Sequence, residues 1–140
     1  MPEERTTSQR PDDDLLDRAL AARESAYAPY SGYRLGAAVR GVSGRVYTGC
    51  NVENASYGLT ICAERVAVFQ AIAAGERELT ALALVADGPE PPTPCGACRQ
   101  VLREFAADMP IHVANLAGAR HTYRLADLLP DAFGPQMFLP

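Results

Sequence analysis

Residues 79–107 read LTALALVADGPEPPTPCGACRQVLREFAA and predict a strand, a loop and a helix in succession. The apolar run over 79–86 is typical of a strand that is buried on both faces of a sheet. The proline-rich segment 87–94 cannot form regular structure, because proline fixes its backbone and lacks an N–H group. A helix is predicted over 95–107. A strand that leads into a helix in this way is the building unit of α/β folds.

The other predicted elements complete a helix–sheet–helix sandwich. They are a helix from Asp12 to about Tyr27, strands over 33–40 and 45–50, a helix over 62–74, strands over 111–115 and 120–124, and a helical turn over 126–129. The last two strands must be antiparallel, because the turn between them is too short for a crossover. We therefore predict an α/β fold of about five strands in a single domain over 12–140, preceded by a disordered polar tail over 1–11.

Composition limits the function classes. The 140 residues include 13 basic and 17 acidic side chains, which gives a net charge of -4 and no basic surface for nucleic acid. No apolar run approaches membrane-spanning length, and the N-terminus lacks a signal-peptide core. We therefore expect a cytoplasmic protein with no nucleic-acid or membrane partner. In that setting, a Cys-x-x-Cys pair is more often metal-binding or redox-active than disulfide-bonded.

Three cysteines are predicted to meet at one end of the sheet. Cys62 begins the helix over 62–74, and Cys95 and Cys98 lie in the first turn of the helix over 95–107. Right-handed parallel connections would place both helix N-termini at the carboxyl ends of adjacent strands, where open α/β sheets bind ligands. Three thiolates can hold zinc tetrahedrally and leave a fourth position for water.

Glu64 makes this predicted zinc site a hydrolytic one. It follows Cys62 by two residues, and one carboxylate beside the water position can act as a base and then as an acid. A first-turn glutamate that only complements the helix dipole is the ordinary alternative. The sequence thus predicts Zn²⁺ with Cys62, Cys95 and Cys98 as ligands and Glu64 as the proton carrier.

Further polar residues are candidates for the surroundings of the metal. Three thiolates carry a net negative charge, so a nearby donor is expected to offset it. Arg65 is the favoured donor, and Gln100 is a second candidate for orienting the ligands. A surface position is the alternative for each. Cys50 is predicted to be a buried apolar residue, and the two histidines, His112 and His121, are predicted to be sheet residues.

Asn51 and Glu53 form a candidate sugar receptor. If this stretch is extended, the two side chains point the same way, because side chains alternate along a strand. An amide and a carboxylate on one face suit sugar hydroxyls. Ordinary turn chemistry is the alternative.

Several separated motifs resemble those of cytidine deaminases of the small, homotetrameric, zinc-dependent type. The resemblance runs from about Leu15 to Leu139, and the spacing of Cys62, Glu64 and the Pro-Cys-x-x-Cys segment is a known signature of zinc nucleobase deaminases. The motifs are YAPYS (27–31), LGAA (35–38), GCNVENASY (49–57), CAER (62–65), PCGACRQ (94–100) and LLPDAFG (128–134). The resemblance implies a three-layer α/β/α sandwich around a mixed five-stranded sheet.

The resemblance also implies an activity and a set of contacts. The activity is the hydrolysis of cytidine and deoxycytidine to uridine and deoxyuridine, with release of ammonia, in pyrimidine salvage. The backbone N–H of Ala63 is expected to hold the base and Arg65 to bond the thiolates, while Tyr57 and Phe133 are expected to come from neighbouring subunits of a homotetramer. Tyr33 stands where the family usually has phenylalanine against the base, so its hydroxyl needs water or another partner.

Three other functions are compatible with parts of this pattern. A deaminase of another aminopyrimidine nucleoside, such as blasticidin S, would share the zinc motifs, but Glu53 argues for cytidine. A nucleic-acid editing deaminase usually has histidine in place of Cys62, together with a basic surface. A non-catalytic zinc module would have no use for Glu64.

Overall fold

The structure, a computed structural model, describes residues 12–140, so the tail predicted over 1–11 lies outside the described residues. The elements are helix α1 (Asp13–Arg23), strands β1 (Leu35–Gly41) and β2 (Val46–Cys50), helix α2 (Ala63–Ala73), strand β3 (Leu79–Ala86), helix α3 (Gly96–Phe105), strands β4 (Pro110–Asn115) and β5 (Arg120–Arg124), and the short helix α4 (Leu125–Leu128). Short 3-10 turns cover Tyr57–Leu59 and Pro135–Met137.

The five strands form one mixed sheet in the order β2-β1-β3-β4-β5. Only β3 and β4 pair in parallel, while the other three pairs are antiparallel, including β4 with β5. The prediction that the strands leading to α2 and α3 are adjacent is wrong. Strands β2 and β3 run in the same direction, but β1 lies between them. Having formed a hairpin with β2, β1 uses its other edge to pair with β3, from Leu35 opposite Ala86 to Gly41 opposite Leu79.

The two faces of the sheet carry different helices, which confirms the predicted three-layer α/β/α sandwich. On one face, α2 and α3 pack on the larger side chains of the central strands, such as Leu82, Leu84 and Ile111. On the other face, α1 packs on small residues, among them Ala38 and Ala83. This alternation buries both faces of β3, as its continuous apolar sequence predicts.

Helix α1 ends earlier than the sequence suggests. The predicted end near Tyr27 is wrong, since α1 stops at Arg23. Tyr27 instead donates its N–H to the carbonyl of Asn51 at 3.0 Å and accepts the N–H of Glu53 at 2.9 Å. A pairing with a distant segment thus replaces the local helical bonds and lays residues 27–35 beside the loop that follows β2.

Candidate active site

The three cysteines converge at the N-termini of α2 and α3. Cys62 and Cys95 are the residues that precede the first turn of each helix, and both have extended backbones. Neither makes a side-chain hydrogen bond that caps its helix. Their sulfur atoms therefore remain available to another ligand. Cys98 lies one helical turn after Cys95 and is fully buried.

The spacing of the sulfur atoms suits zinc. The Sγ atoms of Cys62 and Cys95 are 3.9 Å apart, those of Cys95 and Cys98 are 3.5 Å apart, and all three lie within 4.8 Å of one another. Two sulfurs bound tetrahedrally at about 2.3 Å from zinc would be about 3.8 Å apart. All four cysteines of the chain are free thiols, and Cys50 is not part of this group.

Arg65 supplies positive charge at the sulfur cluster. Its Nη2 donates to the Sγ of Cys62 at 3.4 Å. The pKa of Cys62 is lowered to about 5, first by hydrogen bonding with Cys98 and then, against the effect of burial, by Arg65. The pKa of Cys98 is raised, first by its hydrogen bond with Cys62, then by burial and by the charge of Glu64. The thiolate is therefore favoured at Cys62, which is the form that binds a metal.

Glu64 is a buried carboxyl group beside these thiols. It is 3% exposed, and its Oε1 has no hydrogen-bond partner within residues 12–140. Burial raises its pKa to about 7, and the charge of Cys62 adds to the shift. An unpaired buried oxygen is costly in a folded protein and needs an explanation. A ligand that enters the site and brings a proton for Oε1 provides one.

Asn51 is a buried residue that holds the segment before β1. Its Oδ1 accepts the N–H of Leu35 at 2.9 Å, and its Nδ2 donates to the carbonyl of Tyr33 at 2.8 Å. The amide thus bridges two backbone groups of one segment. One N–H of Nδ2 and one lone pair of Oδ1 remain for a ligand.

Glu53 is tied to the same segment. Its Oε1 accepts the backbone N–H groups of Tyr30 at 2.9 Å and Ser31 at 3.1 Å, while the hydroxyl of Ser31 donates to Oε2. The Ser31 bonds lower the pKa of Glu53 and keep it ionised. An ionised carboxylate only accepts hydrogen bonds, so this group selects a hydrogen-bond donor in its ligand.

A cavity of about 360 Å³ opens in front of this carboxylate. It is lined by Tyr30, Ser31, Glu53, Tyr57 and Thr60. The rings of Tyr30 and Tyr57 meet edge to face, with centroids 5.8 Å apart. Tyr57 is 75% exposed, so most of its ring is available to a ligand or to another chain.

Tyr33 and Ala63 are the two residues expected at the base. Burial raises the pKa of Tyr33, and the charges of Asp87 and Glu64 add to this rise. Ala63 is the first residue of α2 and is fully buried. The N–H groups of a first helical turn lack intrahelical acceptors and can serve a ligand.

Gln100 and Phe133 are linked to each other. The Nε2 of Gln100 donates to the carbonyl of Phe133 at 2.8 Å, which fastens the C-terminal segment to α3. Phe133 is 58% exposed, and its ring meets the ring of Phe138 edge to face at 5.7 Å. The role of Gln100 toward the metal ligands stays a prediction.

The two histidines lie in the sheet, as predicted, and each contacts another side chain there. His112 lies in β4, where its Nδ1 is 3.0 Å from the Oγ1 of Thr122, and His121 lies in β5 against Tyr123. Cys50 is half-buried rather than fully buried. Sequence reasoning missed Ser31, because no local pattern signals a bond to Glu53 across 22 residues.

Known proteins resemble this chain over most of its length. Residues 9–113 match the family model described as "Cytidine and deoxycytidylate deaminase zinc-binding region". A cytidine deaminase from Halalkalibacterium halodurans is 49% identical over 120 residues, which cover 85% of this chain and 91% of that protein. A cytidine deaminase from Mycobacterium tuberculosis is 46% identical over 125 residues, which cover 86% and 87% of the two chains.

Solved structures show the same likeness. The crystal structure of cytidine deaminase from Burkholderia pseudomallei matches with a TM-score of 0.83 and 50% identity, covering 86% of this chain and 97% of that one. The cytidine deaminase from Mycobacterium tuberculosis matches with a TM-score of 0.77 and 44% identity, covering 90% and 99%. Fold, thiol cluster and sequence agree, and the chain therefore belongs to the cytidine and deoxycytidylate deaminase family with its zinc-binding region.

Proposed function

We propose that this protein is a zinc-dependent cytidine deaminase that hydrolyses cytidine and deoxycytidine to uridine and deoxyuridine and releases ammonia. The observation that carries the proposal is the placement of Glu64, buried and with an unpaired Oε1, beside three cysteine sulfurs at zinc spacing. Membership of the deaminase family supports it.

The thiolates of Cys62, Cys95 and Cys98 would hold one zinc ion. Zinc bound there supplies a Lewis acid that makes water a nucleophile near neutral pH. Arg65 donates to Cys62 and offsets part of the negative charge that three thiolates bring. This matters because excess negative charge at the sulfurs weakens the pull of the metal on water.

Glu64 moves the protons of the reaction. Its carboxylate accepts a proton from the attacking water and delivers it to N3 of the cytosine ring, while the water oxygen bonds to C4. The carboxylate then takes the remaining proton of the hydroxyl on C4 and passes it to the amino group. The C4–N bond breaks, ammonia leaves and the C4 oxygen becomes the carbonyl of uridine. A pKa near 7 suits both steps, because a proton carrier works best when its pKa is close to the working pH.

The remaining contacts hold the nucleoside. Glu53 accepts a hydrogen bond from a sugar hydroxyl, with Asn51 beside it. The N–H of Ala63 bonds the base and the ring of Tyr33 packs on it. The cavity in front of Glu53 has room for a sugar, and the net charge of -4 favours a free nucleoside over a nucleic acid.

The working form we propose is a homotetramer in which each site is completed by Tyr57 and Phe133 of neighbouring subunits. Tyr57 and Phe133 are 75% and 58% exposed, and each ring lies against a second exposed aromatic ring, that of Tyr30 or Phe138. Exposed apolar patches of this kind support the proposal, since they mark surfaces where another chain binds. Sedimentation of the zinc-loaded protein tests it. A monomer at assay concentration with full activity would contradict it.

We place the enzyme in the cytoplasm, in pyrimidine salvage. None of the four cysteines forms a disulfide, which supports a reducing compartment. Within residues 12–140, none of the helices has the length and apolar character that a membrane crossing requires.

A substrate comparison tests the proposed activity. Purified, zinc-loaded protein is given cytidine, deoxycytidine or blasticidin S, and ammonia is measured with the ultraviolet change. Ammonia from the first two substrates supports the proposal. Turnover of blasticidin S alone would keep the chemistry and overturn the substrate.

A further inference from the structure

Ser31 lies between the two residue groups that are expected to meet the nucleoside. The Ser31 hydroxyl donates to Oε2 of Glu53. The Oγ of Ser31 also accepts the backbone N–H of Tyr33 at 2.9 Å. One side chain thus connects the carboxylate on the sugar side to the backbone that carries the ring on the base side.

The bonds to Glu53 leave little freedom in that carboxylate. Oε1 already accepts two N–H groups, from Tyr30 and Ser31, and Oε2 accepts the Ser31 hydroxyl. A carboxylate has about four acceptor positions, so about one remains, on Oε2. Without the Ser31 hydroxyl, both positions on Oε2 would be open, and only the two N–H bonds to Oε1 would still hold the carboxylate.

The Tyr33 backbone is held from both sides. Its N–H bonds to Ser31 and its carbonyl accepts the Nδ2 of Asn51. Gly32, which lies between Ser31 and Tyr33, adopts a φ of 70°, a left-handed conformation that glycine accepts without strain. The turn that presents the Tyr33 ring therefore depends on Ser31 on one side and on Asn51 on the other.

We propose that Ser31 is a positioning residue for sugar recognition, which fixes the free lone pair of Glu53 toward one sugar hydroxyl and couples it to the turn that carries Tyr33. This inference rests on the proposed deaminase function and deepens it. Ser31 itself need not touch the substrate, since it acts through Glu53.

The experiment compares kcat/KM of Ser31→Ala and wild type on cytidine and on its 2′-deoxy, 3′-deoxy and 5′-deoxy analogues. Glu53→Gln identifies the sugar hydroxyl that donates to Glu53. The loss of kcat/KM caused by this substitution disappears on the analogue that lacks that hydroxyl. We expect Ser31→Ala to lose roughly tenfold in kcat/KM, mainly through KM, on nucleosides that keep that hydroxyl, which is the scale of one charge-assisted hydrogen bond. On the analogue that lacks this sugar hydroxyl, Ser31→Ala should show no loss of kcat/KM relative to wild type. Ser31→Thr, which keeps the hydroxyl, should restore most of the activity.

The chain offers a matched control at a second serine–glutamate pair. The hydroxyl of Ser43 donates to Glu76 and accepts the N–H of Arg45 at 3.2 Å, which repeats the bonding of Ser31 in the β1–β2 turn. Ser43→Ala should therefore lose a similar bond and leave kcat/KM unchanged on every analogue. If Ser31→Ala fails to fold, Ser31→Cys, a weaker donor of similar size, replaces it in the comparison.

The outcome that would overturn the proposed function differs from those that would overturn only the role of Ser31. An equal loss by Ser31→Ala on all analogues would overturn the positioning role, as that is the result of a purely structural serine. An equal loss by Glu53→Gln on all analogues would overturn it as well, since Glu53 would then receive no hydroxyl. No ammonia from cytidine with zinc-loaded wild type would overturn the proposed function itself, and the inference with it.

Discussion

Gly49→Ala should displace α2 and weaken zinc binding. Gly49 lies in β2, where α2 crosses it so closely that an added Cβ would be 2.5 Å from the N atom of Ala67 and 2.7 Å from the carbonyl oxygen of Ala63. Ordinary contact begins at 3.4 Å, so the helix would have to move by about 0.9 Å. Overpacking of this kind costs about 1–3 kcal/mol of the free energy of unfolding.

The same movement reaches the metal ligands. Ala63 follows Cys62 directly, so a shift of α2 moves that sulfur relative to the sulfurs of α3. Metal–ligand distances tolerate only about 0.2 Å. We therefore expect zinc affinity to fall by at least roughly tenfold, the scale on which residues around a metal site affect it. Competition with a chromophoric chelator measures the affinity, and urea unfolding measures the stability.

Gly36→Ala is the matched control on the opposite face of the sheet. Its Cβ would lie 1.9 Å from the carbonyl oxygen of Ala19 in α1, so the loss of stability should be at least as large. Because α1 carries no cysteine, zinc affinity of the folded protein should be unchanged. Equal zinc affinity in Gly49→Ala and wild type, despite lower stability, would refute the coupling of α2 packing to the metal site.

Three further substitutions test other parts of the account. Glu64→Gln should keep zinc and fold but lose about 10²–10⁴-fold in kcat, which is the usual contribution of a proton carrier; near-normal turnover would remove that role. Cys95→Ser should lower zinc occupancy measured by metal analysis, whereas an unchanged affinity would contradict its role as a ligand. The Ser43 hydroxyl is the main group that holds the pKa of Glu76 below its ordinary 4.5. The ionised Glu76 therefore stabilises the fold above pH 4.5, and this stabilisation disappears as the pH falls through the lower pKa of the folded state. Glu76→Gln should therefore flatten the acid side of the stability curve in urea unfolding, and an unaltered curve would show that Glu76 does not contribute.

The sequence is most informative where a local pattern matches its structural cause. The apolar run over Leu79–Ala86 specifies a doubly buried strand, and the spacing of Cys95 and Cys98 places both sulfurs on one helical turn. Both depend on residues that are neighbours in sequence. The three sulfurs do meet, as predicted, but the adjacency of β2 and β3 from which this was argued is wrong, because β1 lies between them.

Features that depend on distant pairing are less accessible. Strand β1 lies between β2 and β3 because its second edge pairs with a strand some forty residues later, which no local period reveals. The bonds of Tyr27 to Asn51 and Glu53 end the first helix early for the same reason. The partners of Glu53 depend on that fold-back, so the sequence indicates the carboxylate but not the serine that holds it.

Deamination of cytidine by the protein with and without zinc tests the proposed zinc-dependent activity. Zinc-loaded protein should remove the cytosine absorbance and release one ammonia per nucleoside, chelation should abolish both changes, and added zinc should restore them. Zinc-loaded, folded protein that leaves cytidine intact would contradict the proposed activity.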